Sequence, residues 1–78
     1  VHDDFYPSIK GVVKMREFKV YNRFGQLLHN DANKPWDGKF NGELQPLGVY
    51  VGLVSYEYEE PKKPMEVKYE QITITLVR

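Results

Sequence analysis

Apolar residues in this chain recur at every second position, which is the period of a β-strand rather than of a helix. In residues 15–21 the alternation places Phe18 and Val20 on one face, with Lys19 and Tyr21 on the other. We therefore predict a strand here, with Phe18 and Val20 facing a core.

Three further strands are predicted at residues 26–29, 49–58 and 65–77. Within the last of them Ile72, Ile74 and Leu76 share one face, which is the clearest alternation in the chain. Gly52 interrupts the third strand and predicts a bulge or a close approach of another side chain. Residues 5–9 contain Pro7, so they are expected to form an edge strand or an extended lead-in.

Turn-forming residues separate these segments. Residues 22–25 (Asn-Arg-Phe-Gly) fit a tight hairpin turn, Asp37-Gly38 and Asn41-Gly42 fit short turns, and residues 46–48 (Pro-Leu-Gly) fit a turn before the third strand. Residues 59–64 have no large apolar side chain and predict the exposed tip of a long hairpin. Short strands with regular turns predict an all-β fold, a small immunoglobulin-like antiparallel β-sandwich.

Length and charge restrict the class of protein. The 78 residues are enough for one domain, spanning 1–78, and eleven basic residues balance eleven acidic ones, which disfavours a nucleic-acid binder. No cysteine is present for a disulfide or a thiolate metal site, and no apolar run is long enough to span a membrane. Because the chain begins at Val1 without an initiator methionine, we expect it to be a fragment of a larger protein.

Candidate chemistry is sparse. The hydroxyls of Ser8 and Ser55 and the imidazoles of His2 and His29 show no spacing that predicts a nucleophile–base pair, so the sequence favours a non-enzymatic protein without a cofactor. Acidic pairs, Asp3-Asp4 and Asp31 with Asp37, lack the spacing of a calcium loop and are more typical of turn caps.

Aromatic residues offer two interpretations. Trp36 could stack on a sugar, but we favour a plug that closes one end of the sandwich with its indole N–H bonded to a loop carbonyl. Tyr50, Tyr56 and Tyr58 share one face of their strand and form either a contact patch, which Tyr21 could join, or part of the core. The sequence alone does not show whether these tyrosines form a contact patch or part of the core.

The last strand continues almost to the final residue, so that Leu76-Val77-Arg78 would present an ordered terminus. Partners read such termini by binding the carboxylate or by pairing with the strand edge. The alternative is that the chain has simply been cut at this point.

Several motifs together resemble the gliding-motility-associated C-terminal domain, the type B sorting domain of the type IX secretion system of Bacteroidota. They are residues 18–25 (FKVYNRFG), 36–39 (WDGK), 41–42 (NG), 46–50 (PLGVY) and 73–78 (TITLVR). The match covers nearly the whole chain, and the Tyr-Asn-Arg-aromatic-Gly run with the closing Leu-Val-Arg is its most specific part. Phe24 stands where the family usually has Trp, and the family's acidic stretch upstream of Phe5 is missing.

The resemblance implies a non-enzymatic signal at the C-terminus of a secreted or cell-surface protein, exported through the periplasm with its passenger N-terminal in cis. Implied partners are outer-membrane components of the type IX machinery, of the PorP/SprF kind. We predict partner contacts at Arg23, Phe24, Ile74, Leu76, Val77 and Arg78, and structural turn or plug roles for Asn22, Gly25, Trp36, Asp37, Gly38 and Gly48. The competing hypothesis is an adhesion or carbohydrate-binding module that uses Trp36 and the tyrosines.

Overall fold

The structure is a computed structural model that describes residues 4–77. The prediction for Arg78, and the interpretations of His2 and Asp3, lie outside the described residues. The strands are β1 (Val12–Tyr21), β2 (Leu27–Asn30), β3 (Lys39–Phe40), β4 (Glu43–Leu44), β5 (Gly48–Tyr58) and β6 (Glu66–Leu76).

These strands form two antiparallel sheets, which confirms the predicted all-β class. The larger sheet has the order β2-β1-β5-β6, and β3 pairs only with β4. The four predicted strands correspond to β1, β2, β5 and β6, and residues 59–65 form the tip of the β5–β6 hairpin as expected. The sequence predicted turns at Asp37-Gly38 and Asn41-Gly42 but not the two-residue strands β3 and β4 beside them.

Two bulges shape β1. The pairing register shifts between Val12 and Lys14 and again between Met15 and Glu17. Each bulge adds one residue, so inward-facing side chains recur at Val12, Met15 and Phe18, three residues apart instead of two. This is why plain alternation predicted a strand starting only at Met15.

One face of the four-stranded sheet carries the core, and this face is called the inner face. Phe18 and Val20 of β1 are fully buried there, as predicted. The other buried apolar side chains are Leu28, Trp36, Tyr50, Val54, Tyr56, Ile74 and Leu76. Because Tyr50 and Tyr56 point inward, with Tyr58 half-buried beside them, these tyrosines belong to the core rather than to a contact patch.

The N-terminal segment and the middle loop cover the inner face. Phe5, Ile9 and Phe40 pack against the core from this side. Backbone hydrogen bonds of 2.8 Å run in both directions between Phe5 and Trp36, forming a single β-bridge. Residues 5–9 are therefore an extended lead-in, one of the two predicted alternatives.

Gly52 of β5 is paired with Ile72 of β6. A Cβ atom at this position would lie 2.6 Å from Cγ1 of Ile72, well inside van der Waals contact. The prediction of a close approach at Gly52 is confirmed, and the glycine allows Ile72 to pack over the central strand.

Candidate functional site

The turn between β1 and β2 is held together by the side chain of Asn22. Its Oδ1 accepts hydrogen bonds from the backbone N–H groups of Phe24 and Gln26, both at 2.9 Å, and its Nδ2 donates to Oε1 of Gln26 at 3.0 Å. Gly25 has a φ of 82° and donates its N–H to the carbonyl of Asn22. The structural roles predicted for Asn22 and Gly25 are confirmed.

Arg23 and Phe24 project from this turn into solvent. Phe24 is 80% exposed, the highest value among the large apolar side chains that the structure describes. The guanidinium carbon of Arg23 lies 4.8 Å from the centre of the Phe24 ring, within range of a cation–π contact. Neither side chain contributes to the core, so the turn presents an aromatic ring and a positive charge together.

A groove of about 410 Å³ separates this turn from the segment that leads into β5. Leu47 and Val49 border it and are both largely exposed. The pairing of Gly48 with Leu76 brings the end of β6 to the same end of the sheet, with Val77 partly exposed beyond it. We call this region, comprising residues 22–26, 45–49 and the end of β6, the closed end.

Two of the predicted contact residues are placed differently. Ile74 and Leu76 are each 1% exposed and belong to the core cluster. The prediction that their side chains touch a partner is therefore wrong, because the face they share points into the protein. Of the predicted contact residues within the described chain, Arg23, Phe24 and Val77 remain accessible.

Trp36 is a plug, as predicted. It is 1% exposed, its ring centre lies 4.9 Å from that of Tyr50, and its indole N–H donates to the carbonyl of Lys39 at 3.1 Å. Asp37 caps the same loop, since its Oδ1 accepts the N–H of Lys39 at 3.0 Å. Gly38 and Gly48 both have positive φ, and the Gly38 carbonyl accepts the N–H of Gln45, so both glycines shape turns as expected.

The structure does not bring the candidate catalytic groups together. His29 packs against Phe18 on the inner face, whereas Ser55 lies on the opposite face of the sheet. Nε2 of His29 contacts the carbonyl oxygens of Asp31 and Lys34, which only accept hydrogen bonds, so Nε2 carries the proton. Within residues 4–77 there is no group of three acidic or histidine side chains that could hold a metal, and Asp31 caps its own turn by accepting the N–H of Asn33.

Sequence reasoning missed the exposed apolar residues of the groove. Leu47 was treated only as part of a turn, and Val49 only as the start of a strand. The alternation of Val49 with the inward-facing Tyr50 could have identified Val49 as outward-facing. Nothing in the sequence showed that the segment around Leu47 faces the turn at Phe24, because that contact depends on the pairing of β1 with β5.

Comparisons of the chain with protein-family models, with curated proteins and with solved structures found no match. Among residues 4–77 there is also no helix with the length and hydrophobicity needed to cross a membrane. The function of the chain is therefore inferred from its motifs and from the geometry of the closed end.

Proposed function

We propose that this chain is a non-enzymatic C-terminal signal for secretion and surface localisation, read by the type IX secretion machinery. The exposed aromatic ring on a hydrogen-bonded turn is the observation that carries this proposal. A Phe exposed to 80% contributes little burial to the fold, yet three hydrogen bonds from one Asn side chain fix the turn that displays it. Aromatic residues and arginine are enriched where proteins contact each other, which is the composition of this turn.

We also propose that the fold is a small immunoglobulin-like β-sandwich. The inner face of the four-stranded sheet is partly covered by Phe5, Ile9 and Phe40, and Phe40 belongs to β3, which pairs with β4. Near the start of β5, the hydroxyl of Tyr50 donates to the carbonyl of Pro46, four residues upstream. A tyrosine bonded back to the preceding corner is a recurrent feature of immunoglobulin-like sandwiches.

The closed end supplies a surface with the properties of a docking site. Phe24, Leu47 and Val49 provide exposed apolar area around the groove, and Arg23 adds a positive charge at its border. Apolar area contributes binding free energy, whereas a charge at the border sets orientation and partner choice. The implied reader is an outer-membrane component of the PorP/SprF kind, acting on a passenger attached N-terminally in cis.

The last strand contributes through its backbone rather than through Ile74 and Leu76. β6 is an edge strand of the four-stranded sheet, and residues 71–77 carry no charged side chain. Uncharged edge strands pair readily with added strands, and main-chain hydrogen bonds then supply affinity. Pairing with this edge would extend the contact that begins at Phe24 and Val77.

The experiment is to fuse the chain to a fluorescent passenger in a gliding bacterium and measure the passenger in the medium and on the surface. Deleting residues 70–78 would remove Ile74 and Leu76 from the core and confuse loss of folding with loss of recognition. Arg23→Ala is the better variant, with Lys62→Ala in the β5–β6 loop as the control. We expect Arg23→Ala to lower export while Lys62→Ala does not; equal export by both variants would contradict the proposal.

The competing hypothesis, a sugar-binding module built on Trp36 and the strand tyrosines, lacks its contact surface. Trp36, Tyr50 and Tyr56 are all buried, and a buried ring cannot stack on a ligand from solvent. That hypothesis in this form is therefore disfavoured.

A further inference from the structure

β6 forms one edge of the four-stranded sheet and is eleven residues long. Within residues 4–77 no strand pairs with the side of β6 that faces away from β5. The strand at the opposite edge, β2, has only four residues. Because an edge strand presents backbone N–H and C=O groups to other chains, β6 is the longer edge at which a strand could be added.

The first half of β6 carries three charges, and charged side chains often protect an edge strand from pairing. Glu66, Lys68 and Glu70 alternate with Val67 and Tyr69, so the three charges share one face of the strand and alternate in sign. Like charges directly opposite each other destabilise a strand pair, whereas opposite charges stabilise it. The pattern therefore permits some pairing registers and disfavours others.

A second copy of β6 matches this pattern. When two identical strands pair antiparallel about a twofold axis, residues at equal distances from the axis lie opposite each other. An axis at Tyr69 places Lys68 of each copy opposite Glu70 of the other, which gives two ion pairs. An axis at Lys68 or Glu70 places like charges opposite each other, and an axis from Gln71 to Thr73 places Glu70 opposite an isoleucine or leucine.

The length of the pairing gives a second reason for the axis at Tyr69. β6 covers residues 66–76, so this axis pairs it over residues 66–72. Axes at Val67 and Ile74 also avoid like charges within β6, but they pair only residues 66–68 and 72–76. The axis at Tyr69 is therefore the longest pairing of β6 with itself in which opposite charges meet.

Lys68 and Glu70 have no opposite charge beside them in the single chain. Neither belongs to an ion pair found within residues 4–77. Nζ of Lys68 lies 4.0 Å from the centre of the Tyr58 ring, and Glu70 interacts with the hydroxyl of Tyr56. An ammonium has three N–H groups and a carboxylate has two oxygens, so each group has capacity for a further contact across the edge.

On the other face of β6 the same axis brings exposed side chains together. Tyr69 is 75% exposed and Val67 is 43% exposed. The two Tyr69 rings would lie directly opposite each other, and each would lie diagonally beside Val67 of the other copy. Aromatic and apolar pairs at such positions stabilise antiparallel strands, so this face favours the same register as the charges.

We propose that β6 pairs with β6 of a second copy of the chain, antiparallel about an axis at Tyr69. The two four-stranded sheets then form one continuous eight-stranded sheet. Ion pairs between Lys68 and Glu70 set the register, and the Tyr69 rings add apolar contact. The dimer leaves Arg23 and Phe24 accessible, but it competes with the proposed reader for the edge of β6.

The test is sedimentation velocity of the 78-residue chain between about 10 µM and 1 mM, the range expected for a small interface. We expect a reversible dimer to form within this range. Lys68→Glu and Glu70→Lys each replace two ion pairs by like-charge contacts, so each should weaken the dimer about tenfold or more. Lys34→Glu, an exposed charge reversal outside β6, is the matched control and should dimerise like the unmodified chain.

Mixing the two charge variants separates pairing from any effect on folding. The Lys68→Glu chain has only negative charges at positions 68 and 70, and the Glu70→Lys chain has only positive ones. An equimolar mixture should therefore form a heterodimer about tenfold more tightly than either variant pairs with itself. A mixture that associates no better than the separate variants overturns the proposal, as does an unmodified chain that stays monomeric at about 1 mM.

Cross-linking tests the axis without changing any charge. The chain has no cysteine, so Tyr69→Cys and Gln71→Cys each introduce a single thiol. Residues on the axis lie opposite themselves, within reach of a disulfide, whereas position 71 lies opposite position 67. We expect diamide oxidation to link Tyr69→Cys chains into a dimer much faster than Gln71→Cys chains. Equal rates, or faster linking through position 71, would overturn the proposed register.

Discussion

The two ends of the elongated sheet are built in opposite ways. At the closed end, the turn at residues 22–26 is fixed by hydrogen bonds and holds Phe24 out into solvent. At the other end, which we call the hairpin end, the β5–β6 loop of residues 59–65 is mostly charged or proline. Its internal contacts are a backbone bond and an exposed ion pair between Lys63 and Glu60, 3.1 Å apart.

The two ends therefore differ in role: the hairpin end only connects two strands, whereas the closed end presents a surface to solvent. The hairpin end needs only to reverse the chain, and solvated charges are sufficient for that. The closed end combines tight turn geometry with exposed apolar side chains, which reversal of the chain does not require. Rigid geometry that displays an aromatic ring is a property of recognition surfaces, because less conformational freedom is lost on binding.

The largest expected effect is the loss of the Trp36 plug, which packs against Tyr50 next to the closed end. Trp36→Ala removes a fully buried ring and its hydrogen bond to Lys39, so we expect a loss of about 3–5 kcal/mol in the free energy of unfolding. Met65→Ala at the hairpin end should change it by less than about 0.5 kcal/mol, since this side chain is exposed. Urea denaturation of both variants measures the two losses, and similar values would contradict the burial of the Trp36 ring.

A smaller effect is expected from the turn residues themselves. Asn22→Ala removes three side-chain hydrogen bonds, so we expect a loss of about 1–2 kcal/mol. Lys63→Ala removes only an exposed ion pair and should cost less than about 0.5 kcal/mol. Thermal denaturation by circular dichroism distinguishes the two, and a neutral Asn22→Ala would mean that the turn is not rigid.

Tyr56 is a buried core residue of β5 on the side of the hairpin end. Ionisation of its hydroxyl makes the stability of the fold depend on pH. Burial, and then a hydrogen bond with Glu70, raise the pKa of the Tyr56 hydroxyl. The folded state therefore favours the neutral tyrosine, so this contribution to stability is complete below the unfolded-state pKa of about 10. It is lost as the pH rises above that value toward the folded-state pKa.

Urea denaturation between about pH 8 and 12 measures this loss. We expect the unmodified chain to lose stability with pH more steeply than Tyr56→Phe, which has no hydroxyl at this position to ionise. Identical slopes for the two proteins would place the Tyr56 hydroxyl in contact with solvent.

Much of the fold could be predicted because local patterns determine it. Alternation identified Phe18 and Val20 as core residues, and the size of Trp36 together with its position in a loop predicted the plug. Bulges escaped prediction because each adds one residue and breaks the alternation, as happens before Met15. The strands β3 and β4 were missed because two residues are too few to show a period.

The candidate site was less predictable, because it depends on which segments lie side by side. Alternation groups Ile74 and Leu76 on one face but does not say whether that face points inward. They were predicted to contact a partner, whereas their side chains lie in the core. The neighbours of Ser55 on β1 and β6 follow from strand register, which the bulges in β1 help to set. Arg23 and Phe24 could be predicted because a hairpin turn exposes its central residues in any register.

The most direct test of the central claim is export of a fluorescent passenger by Phe24→Ala and by Met65→Ala. Both changes remove an exposed apolar side chain, one at the closed end and one at the hairpin end. Both should leave the free energy of unfolding within about 0.5 kcal/mol of the unmodified chain. The account predicts that only Phe24→Ala lowers the exported fraction; normal export by folded Phe24→Ala would contradict it.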